Sequence, residues 1–371
     1  MNYQEYYDEL KQLLIELCKI PAPADHEDER LAFIANWYAE NELLDFDIDD
    51  EGNVLYRFGV KPYNPVNIIT AHVDTVFPPE TVLEPKEEDG SLYCPSVGDN
   101  TINLAIMMMA VKLLAAENYE PETGLIFAAD VGEEGLGNLK GIKAILKEYD
   151  TRIQSVTALD LSYGNIINKA VGSKRYEVSI KTDGGHSYYD FGKPNAIRIA
   201  SDIISSLYAL DIPEEGKTTI NVGTITGGSS VNTVAASCDF KFEIRSDIAE
   251  NLELLDNEAK LIIEENTVNV TCDVKLVGDR PCNGNVKEED IESLTKKVLA
   301  AYESSAWKEA GYKKDFSIIP GSTDCNASLA LGIPSICFGL GFSAGHHSLN
   351  EFARLDSLVP GLETLMNYVL Q

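Results

Sequence analysis

Positive charge is what this 371-residue chain has least of. Lys and Arg number 30 against 60 Asp and Glu, which leaves a net charge of −30. A surface so acidic repels phosphate backbones and makes nucleic acid a poor partner, while it suits divalent cations. The first residues, Met1-Asn-Tyr-Gln-Glu-Tyr-Tyr-Asp-Glu9, hold neither a basic stretch nor an apolar one, so no secretory signal is expected. No apolar run reads as long enough for a membrane helix, and no membrane partner is expected. Seven scattered cysteines (Cys18, Cys94, Cys238, Cys272, Cys282, Cys325, Cys337) make an odd number without a Cys-x-x-Cys pair. That argues against a disulfide framework and against cysteine-ligated zinc, and points to reduced thiols in a cytoplasmic protein. Histidine is also scarce, with five in all: His26, His72, His186, His346 and His347.

What remains is globular: 44% apolar and 24% charged, with length enough for a substantial core and two domains. Helical periodicity over residues 3–18 and 25–43 is broken by Pro21-Ala-Pro23. Strands are predicted over 46–49, 54–58, 66–71, 124–129 and 156–161, with helices over 103–116 and 140–149. This alternation is the rhythm of an α/β domain with a mostly parallel sheet. From about residue 175 the order becomes strand, helix, strand, strand, helix, strand, ending near residue 277. A small open-faced α+β domain of ferredoxin-like type gives that βαββαβ order. After Pro281 a helix (288–304) and two apolar strands (316–319, 335–338) return to the first pattern. The expected organisation is a catalytic metal-binding domain of residues 1–173 and 279–371, interrupted by a smaller domain of residues 174–278.

Each apolar strand of the first domain ends in groups that can bind a ligand. The run from Val66 to Ala71 stops at His72 and Asp74, which share one side of the strand end. A carboxylate so placed can take one ring N–H and leave the other nitrogen for a metal. The next strand leads to Asp130 and Gly132-Glu-Glu-Gly135, and the third holds Asp160. In open α/β sheets ligands bind beyond the carboxyl ends of strands, so these groups should converge, and convergent acids need cations. Asp99, opening a helix, reads alone as an N-cap and in this company as a carboxylate between two metals. Glycines on both sides of Glu133-Glu134 free the backbone to send the two side chains to separate tasks, one as ligand and one as general base. His346-His347 follow an apolar strand and a Gly-rich turn, and His186 lies in Asp183-Gly-Gly-His-Ser187 of the inserted domain.

These motifs occur in a recognisable order: His72-Val-Asp-Thr-Val, Gly98-Asp99, Gly132-Glu-Glu-Gly, Asp160, Gly185-His-Ser and His347-Ser-Leu-Asn-Glu351. Together with Asn232, Phe242-Glu-Ile-Arg245 and Gly321-Ser-Thr-Asp324, the set resembles the dinuclear zinc exopeptidase and deacylase family. That family contains carboxypeptidase G, peptidase T, acetylornithine deacetylase and succinyl-diaminopimelate desuccinylase. The resemblance spans nearly the whole chain.

The resemblance implies that His72 and Asp160 hold one metal, Glu134 and His347 the other, and that Asp99 bridges them. It makes Glu133 the general base, Asp74 the residue that orients His72, and His186 an oxyanion donor, often to the partner subunit's site. Asn232 and Arg245 would hold substrate, the Arg245 guanidinium suiting a carboxylate. Two divalent ions are implied, zinc first with cobalt or manganese as alternatives, together with a cis Asp99–Asn100 peptide and a homodimer through the inserted lid domain. The expected function is cleavage of short peptides by an exopeptidase of peptidase T or carboxypeptidase G type. An N-acyl amino acid deacylase is the alternative within the class, and an idle metal- or peptide-binding relative the alternative outside it. One departure stands out: Asn100 and Thr101 follow the bridging position, where the family usually has other residues.

Overall fold

A computed structural model describes residues 2–371. The chain forms two compact units, one of residues 1–170 with 284–371 and the other of residues 171–283.

The first unit is built on an eight-stranded sheet. Its strands lie in the order Phe46–Ile48, Val54–Phe58, Gly124–Asp130, Val66–His72, Ile153–Tyr163, Ser335–Gly339, Asn165–Ala170, Ser317–Gly321. The central strands 124–130, 66–72, 153–163 and 335–339 run parallel to one another. They are apolar because both faces are covered: every residue of 124–130 is buried, and in 66–72 only Asn67 is partly exposed. Their carboxyl ends share one edge, which places His72 beside Asp130 in the pairing register.

Helices Tyr7–Cys18, Asp28–Glu40, Ile102–Ala116, Lys140–Tyr149, Glu288–Glu303 and Leu358–Leu370 belong to the same unit. Tyr7–Cys18 buries Leu10, Leu13, Leu14 and Leu17, the spacing of one helical face. Helix 102–116 differs, with Ile102 to Val111 buried without a break. The segment Val97–Ala116 is long and apolar enough to cross a membrane, which corrects the expectation that no such run exists. Its apolar surface is used internally, because 94% of its most apolar 18-residue window is buried within the protein.

The second unit carries a four-stranded antiparallel sheet in the order Thr218–Gly227, Ser237–Ser246, Gly172–Lys181, Thr271–Arg280. Helices Ala196–Leu207 and Ala249–Thr267 complete the βαββαβ order. Period-2 alternation explains why the helices cover one face only. Cys238, Phe240, Phe242 and Ile244 are buried in the unit's own core, while Asp239, Lys241, Glu243 and Arg245 point to the opposite side. Asn195 caps helix 196–207, its side chain accepting from the N–H groups of Ile197 (3.0 Å) and Arg198 (3.2 Å).

Candidate active site

At the carboxyl edge of the large sheet, His72, Asp99 and Asp160 bring one donor atom each within 4.8 Å of one another. The same limit encloses Asp99, Glu134 and His347, and also His72, Glu133 and Glu134. His72 Nε2 lies 3.2 Å from Asp99 Oδ1 and 3.8 Å from Asp160 Oδ1. His347 Nε2 lies 3.1 Å from Asp99 Oδ2 and 3.1 Å from Glu134 Oε1. Asp99 thus faces one imidazole with each of its carboxylate oxygens.

The surroundings fix these groups one by one. His72 ends the 66–72 strand, and its Nδ1 sits 3.1 Å from the Asp74 carbonyl oxygen and 3.5 Å from the Asp74 carboxylate. The carboxylate itself accepts the backbone N–H groups of Glu133 (3.0 Å) and Glu134 (2.7 Å). Asp74 therefore meets the His72 ring with both its carbonyl and its carboxylate, and the carboxylate also holds the turn that carries the two glutamates. The turn needs glycine at both ends, since Gly132 has φ +71° and Gly135 φ +57°.

The loop before helix 102–116 is held from below by Glu351, a residue the sequence offered only as a spacing marker for His347. Its wholly buried carboxylate accepts N–H groups from Ser96 (3.2 Å), Gly98 (2.7 Å) and Asp99 (2.8 Å). Gly98 is obligatory there, because a Cβ would stand 2.4 Å from Cβ of Ser343. The Asp99–Asn100 peptide is cis. Asn100, read from sequence as a departure, turns inward and donates to the Leu159 carbonyl at 2.7 Å. Asn103 donates to Asn100 Oδ1 (2.7 Å) and the Leu161 carbonyl (3.0 Å) and accepts from Leu340 N–H (2.7 Å). The loop carrying Asp99 is thereby laced to the strand carrying Asp160 and to the segment leading to His347. His346 turns away and meets Ser343 Oγ at 2.8 Å.

The electrostatics follow from so many acids in one buried place. Burial alone would lower the His72 pKa, but Asp160, Asp74 and Asp99 raise it well above its ordinary value. Hydrogen bonds to Asp99 and Glu134 push His347 up to about 10. Asp99 is penalised by burial, yet His347 and His72 hold it far below the usual carboxylate range. Burial pushes Glu351 up to about 7 despite its three N–H donors. Beneath the site the buried carboxyls of Asp130 and Asp324 contact each other, and burial raises both.

The donor set fits divalent cations. Three buried carboxylates, Asp99, Glu134 and Asp160, share two imidazoles, and two overlapping N/O triads are the ligand chemistry of zinc or a similar ion. A carboxylate oxygen and an imidazole nitrogen both carry lone pairs, so only a proton or a metal lets them approach as closely as they do here.

The remaining predicted residues lie in the second unit. His186 and Asn232 come together there: the 185–186 bridge pairs with 233–234, and Ser187 N–H donates to the Asn232 carbonyl at 3.0 Å. Both side chains are exposed. Arg245 does not join them. It lies near the far end of the 237–246 strand, about 25 Å from Ser237, and its Nε donates to Glu243 Oε1 at 3.0 Å.

Residues 68–371 match the sequence profile of peptidase family M20/M25/M40. The Bacillus subtilis protein YqjE is 26% identical over 377 residues, covering 96% of each chain. A tripeptidase from Staphylococcus aureus superposes with a TM-score of 0.77 at 21% identity, covering 98% of this chain and 97% of its own. An M20 family metallo-carboxypeptidase from Sulfolobus solfataricus gives 0.75 at 16% identity, with 97% and 98% covered. The chain belongs to peptidase family M20/M25/M40 and is a hydrolase acting on peptide bonds.

Proposed function

We propose that this hydrolase is an exopeptidase of short peptides that uses two divalent metal ions, zinc by preference. The observation that carries the reading is the position of Glu133. Its carboxylate lies within 4.8 Å of donors on His72 and Glu134, yet the triads His72–Asp99–Asp160 and Asp99–Glu134–His347 are complete without it. A fixed carboxylate beside two ligand sets, and needed by neither, is suited to moving a proton.

In this reading His72 and Asp160 hold one ion, Glu134 and His347 the other, and Asp99 lies between them. Such ions, when bound, acidify water and polarise an amide carbonyl. Glu133 takes a proton from the attacking water, the new C–O bond forms as the carbonyl π bond opens to an oxyanion, and the same carboxyl delivers the proton to the nitrogen as the carbonyl re-forms and the C–N bond breaks. His186 donates a hydrogen bond to the oxyanion, and Asn232 and Arg245 hold the substrate, Arg245 through a carboxylate. Asn232 precedes the 233–234 strand and Arg245 lies near the far end of the 237–246 strand, and the reading includes a homodimer through the 171–283 unit acting as lid. A cytoplasmic location is supported by seven free cysteines. The same metal chemistry cleaves an N-acyl amino acid, and Arg245 suits the carboxylate of that substrate equally well.

The test is amine release by the zinc- or cobalt-loaded protein from tripeptides, amino-blocked peptides, carboxyl-blocked peptides and N-acetyl amino acids. Hydrolysis of peptides is the expected result. A need for a free amino end makes it an aminopeptidase, and a need for a free carboxylate makes it a carboxypeptidase. Cleavage of N-acetyl amino acids alone would replace the exopeptidase with a deacylase, and silence with both metals bound would overturn the reading. A sedimentation mass of one chain would remove the dimer.

A further inference from the structure

Cys18 and Cys94 are 76 positions apart in sequence and in contact in the first unit. Cys94 Sγ donates to the Cys18 carbonyl at 3.7 Å, and the two thiols are close enough to perturb each other's ionisation. Cys18 closes helix 7–18. Cys94 opens the segment that leads to Asp99: its N–H donates to the Glu351 carbonyl at 3.2 Å, and its carbonyl accepts from Val97 N–H at 3.2 Å.

A buried cation lies beside this pair. The Arg30 guanidinium is 2% exposed and spends its donors on carbonyls, those of Ile20 (2.6 and 3.2 Å) and Val73 (3.0 Å). No carboxylate lies within ion-pair distance of it among the described residues. The acidic groups whose fields reach it are Cys18, Cys94 and Asp74. A buried guanidinium without a carboxylate partner favours a thiolate nearby, and the proton Cys94 loses on ionising is the one its Sγ donates to the Cys18 carbonyl. The arrangement has an attacking sulfur, a resolving sulfur and a fixed positive charge.

We propose that Cys18 and Cys94 form a redox-active dithiol that hydrogen peroxide closes to a disulfide, loosening the Asp99 loop and weakening metal binding. The metal part of this inference rests on the reading of Asp99 as a ligand. The Cys94 thiolate attacks one peroxide oxygen, the O–O bond breaks, and hydroxide leaves. The Cys18 sulfur then attacks the sulfenic acid, the S–O bond breaks, and water leaves as the S–S bond forms. Sulfur loses two electrons and peroxide gains them. Drawing the sulfurs from non-bonded separation to about 2.0 Å pulls Cys94 towards helix 7–18. Its N–H then leaves the Glu351 carbonyl, and the Ser96, Gly98 and Asp99 N–H groups shift against the Glu351 carboxylate. Both sulfurs are almost wholly buried, so the oxidant is a molecule the size of peroxide, and a bulky disulfide does not reach them.

The experiment treats the full-length, metal-loaded protein with hydrogen peroxide or with oxidised glutathione. Free thiols are then blocked under denaturing conditions, and the tryptic peptides are mapped by mass spectrometry. The expected result with peroxide is a Cys18–Cys94 cross-link, a fall in free thiols from seven to five (seven minus the two joined), and no cross-link with glutathione disulfide. Metal affinity, read by cobalt absorption, should weaken about tenfold and return with dithiothreitol. Cys18→Ser, or Cys18→Ala if the serine protein does not fold, should trap a sulfenic acid at Cys94 and form no cross-link. Oxidation of other cysteines while these two stay alkylatable would overturn the proposal, as would a cross-link that leaves metal affinity unchanged. Neither readout uses a substrate, so failure of the peptidase reading and failure of this one are separable.

Discussion

The carboxylate of Glu351 accepts the backbone N–H of Asp99 at 2.8 Å, from 252 positions further along the chain. One oxygen, Oε1, takes both this N–H and that of Gly98, and the other takes Ser96. The residue that faces two imidazoles is therefore held by another acid that touches neither.

Glu351→Gln keeps the size of the side chain but replaces one acceptor oxygen with an NH₂ group, which must face a backbone donor. Metal affinity, measured by titration with cobalt, should fall about 10- to 100-fold, with the far-ultraviolet circular dichroism unchanged. An unaltered affinity would show that the loop holds its shape without this carboxylate.

Glu133→Ala should separate binding from turnover. Both triads survive the change, so two metals should still bind, while kcat falls on the order of 10²- to 10⁴-fold. Turnover that persists would reassign the base.

Asp74→Asn puts an NH₂ group against the N–H of Glu133 or of Glu134. The turn should open and displace both glutamates, lowering kcat and metal affinity together by about 10- to 100-fold. A fall in kcat with metal affinity intact would mean that only the Glu133 side of the turn depends on Asp74.

The metal-free protein should become less stable as pH rises across neutrality. Glu351 has a folded pKa of about 7, above its ordinary value, so its contribution is present below the carboxylate range and lost as pH climbs through about 7. The raised Asp130 and Asp324 act in the same direction. His347, raised to about 10, contributes fully below its ordinary value and loses that contribution as pH rises from there through about 10, in the same direction. Asp74 and Asp99 are held low and matter only in acid. Urea midpoints of the metal-free protein should thus be higher near about pH 5.5 than near about pH 8. The opposite order would mean that other groups dominate.

Much of this site was legible because parallel strands deliver their last residues to one edge. His72 and Asp160 belong to neighbouring strands, and Glu133 and Glu134 follow a third, so hydrophobic runs alone were enough to predict that they meet. The supports were harder to read. Glu351 acts through backbone N–H groups, which leave no mark in the identities of Ser96, Gly98 and Asp99. Asn100 looked like a departure because its side chain donates to the Leu159 carbonyl, and any residue supplies a carbonyl. Helix 102–116 was seen as a helix, but its burial on every side depends on what packs around it, and a single sequence does not list those neighbours.

The interruption of the first unit between residues 170 and 284 also orders events in time. Asp160 is synthesised 187 residues before His347 (347 minus 160). At ribosomal speeds that is a delay of roughly ten to forty seconds. During it the nascent chain holds Asp99, Glu134 and Asp160 with His72 but not His347, and lacks the Glu351 carboxylate whose oxygens accept the Asp99 loop N–H groups. Every truncated product of translation that stops in this interval is born without the Asp99–Glu134–His347 triad.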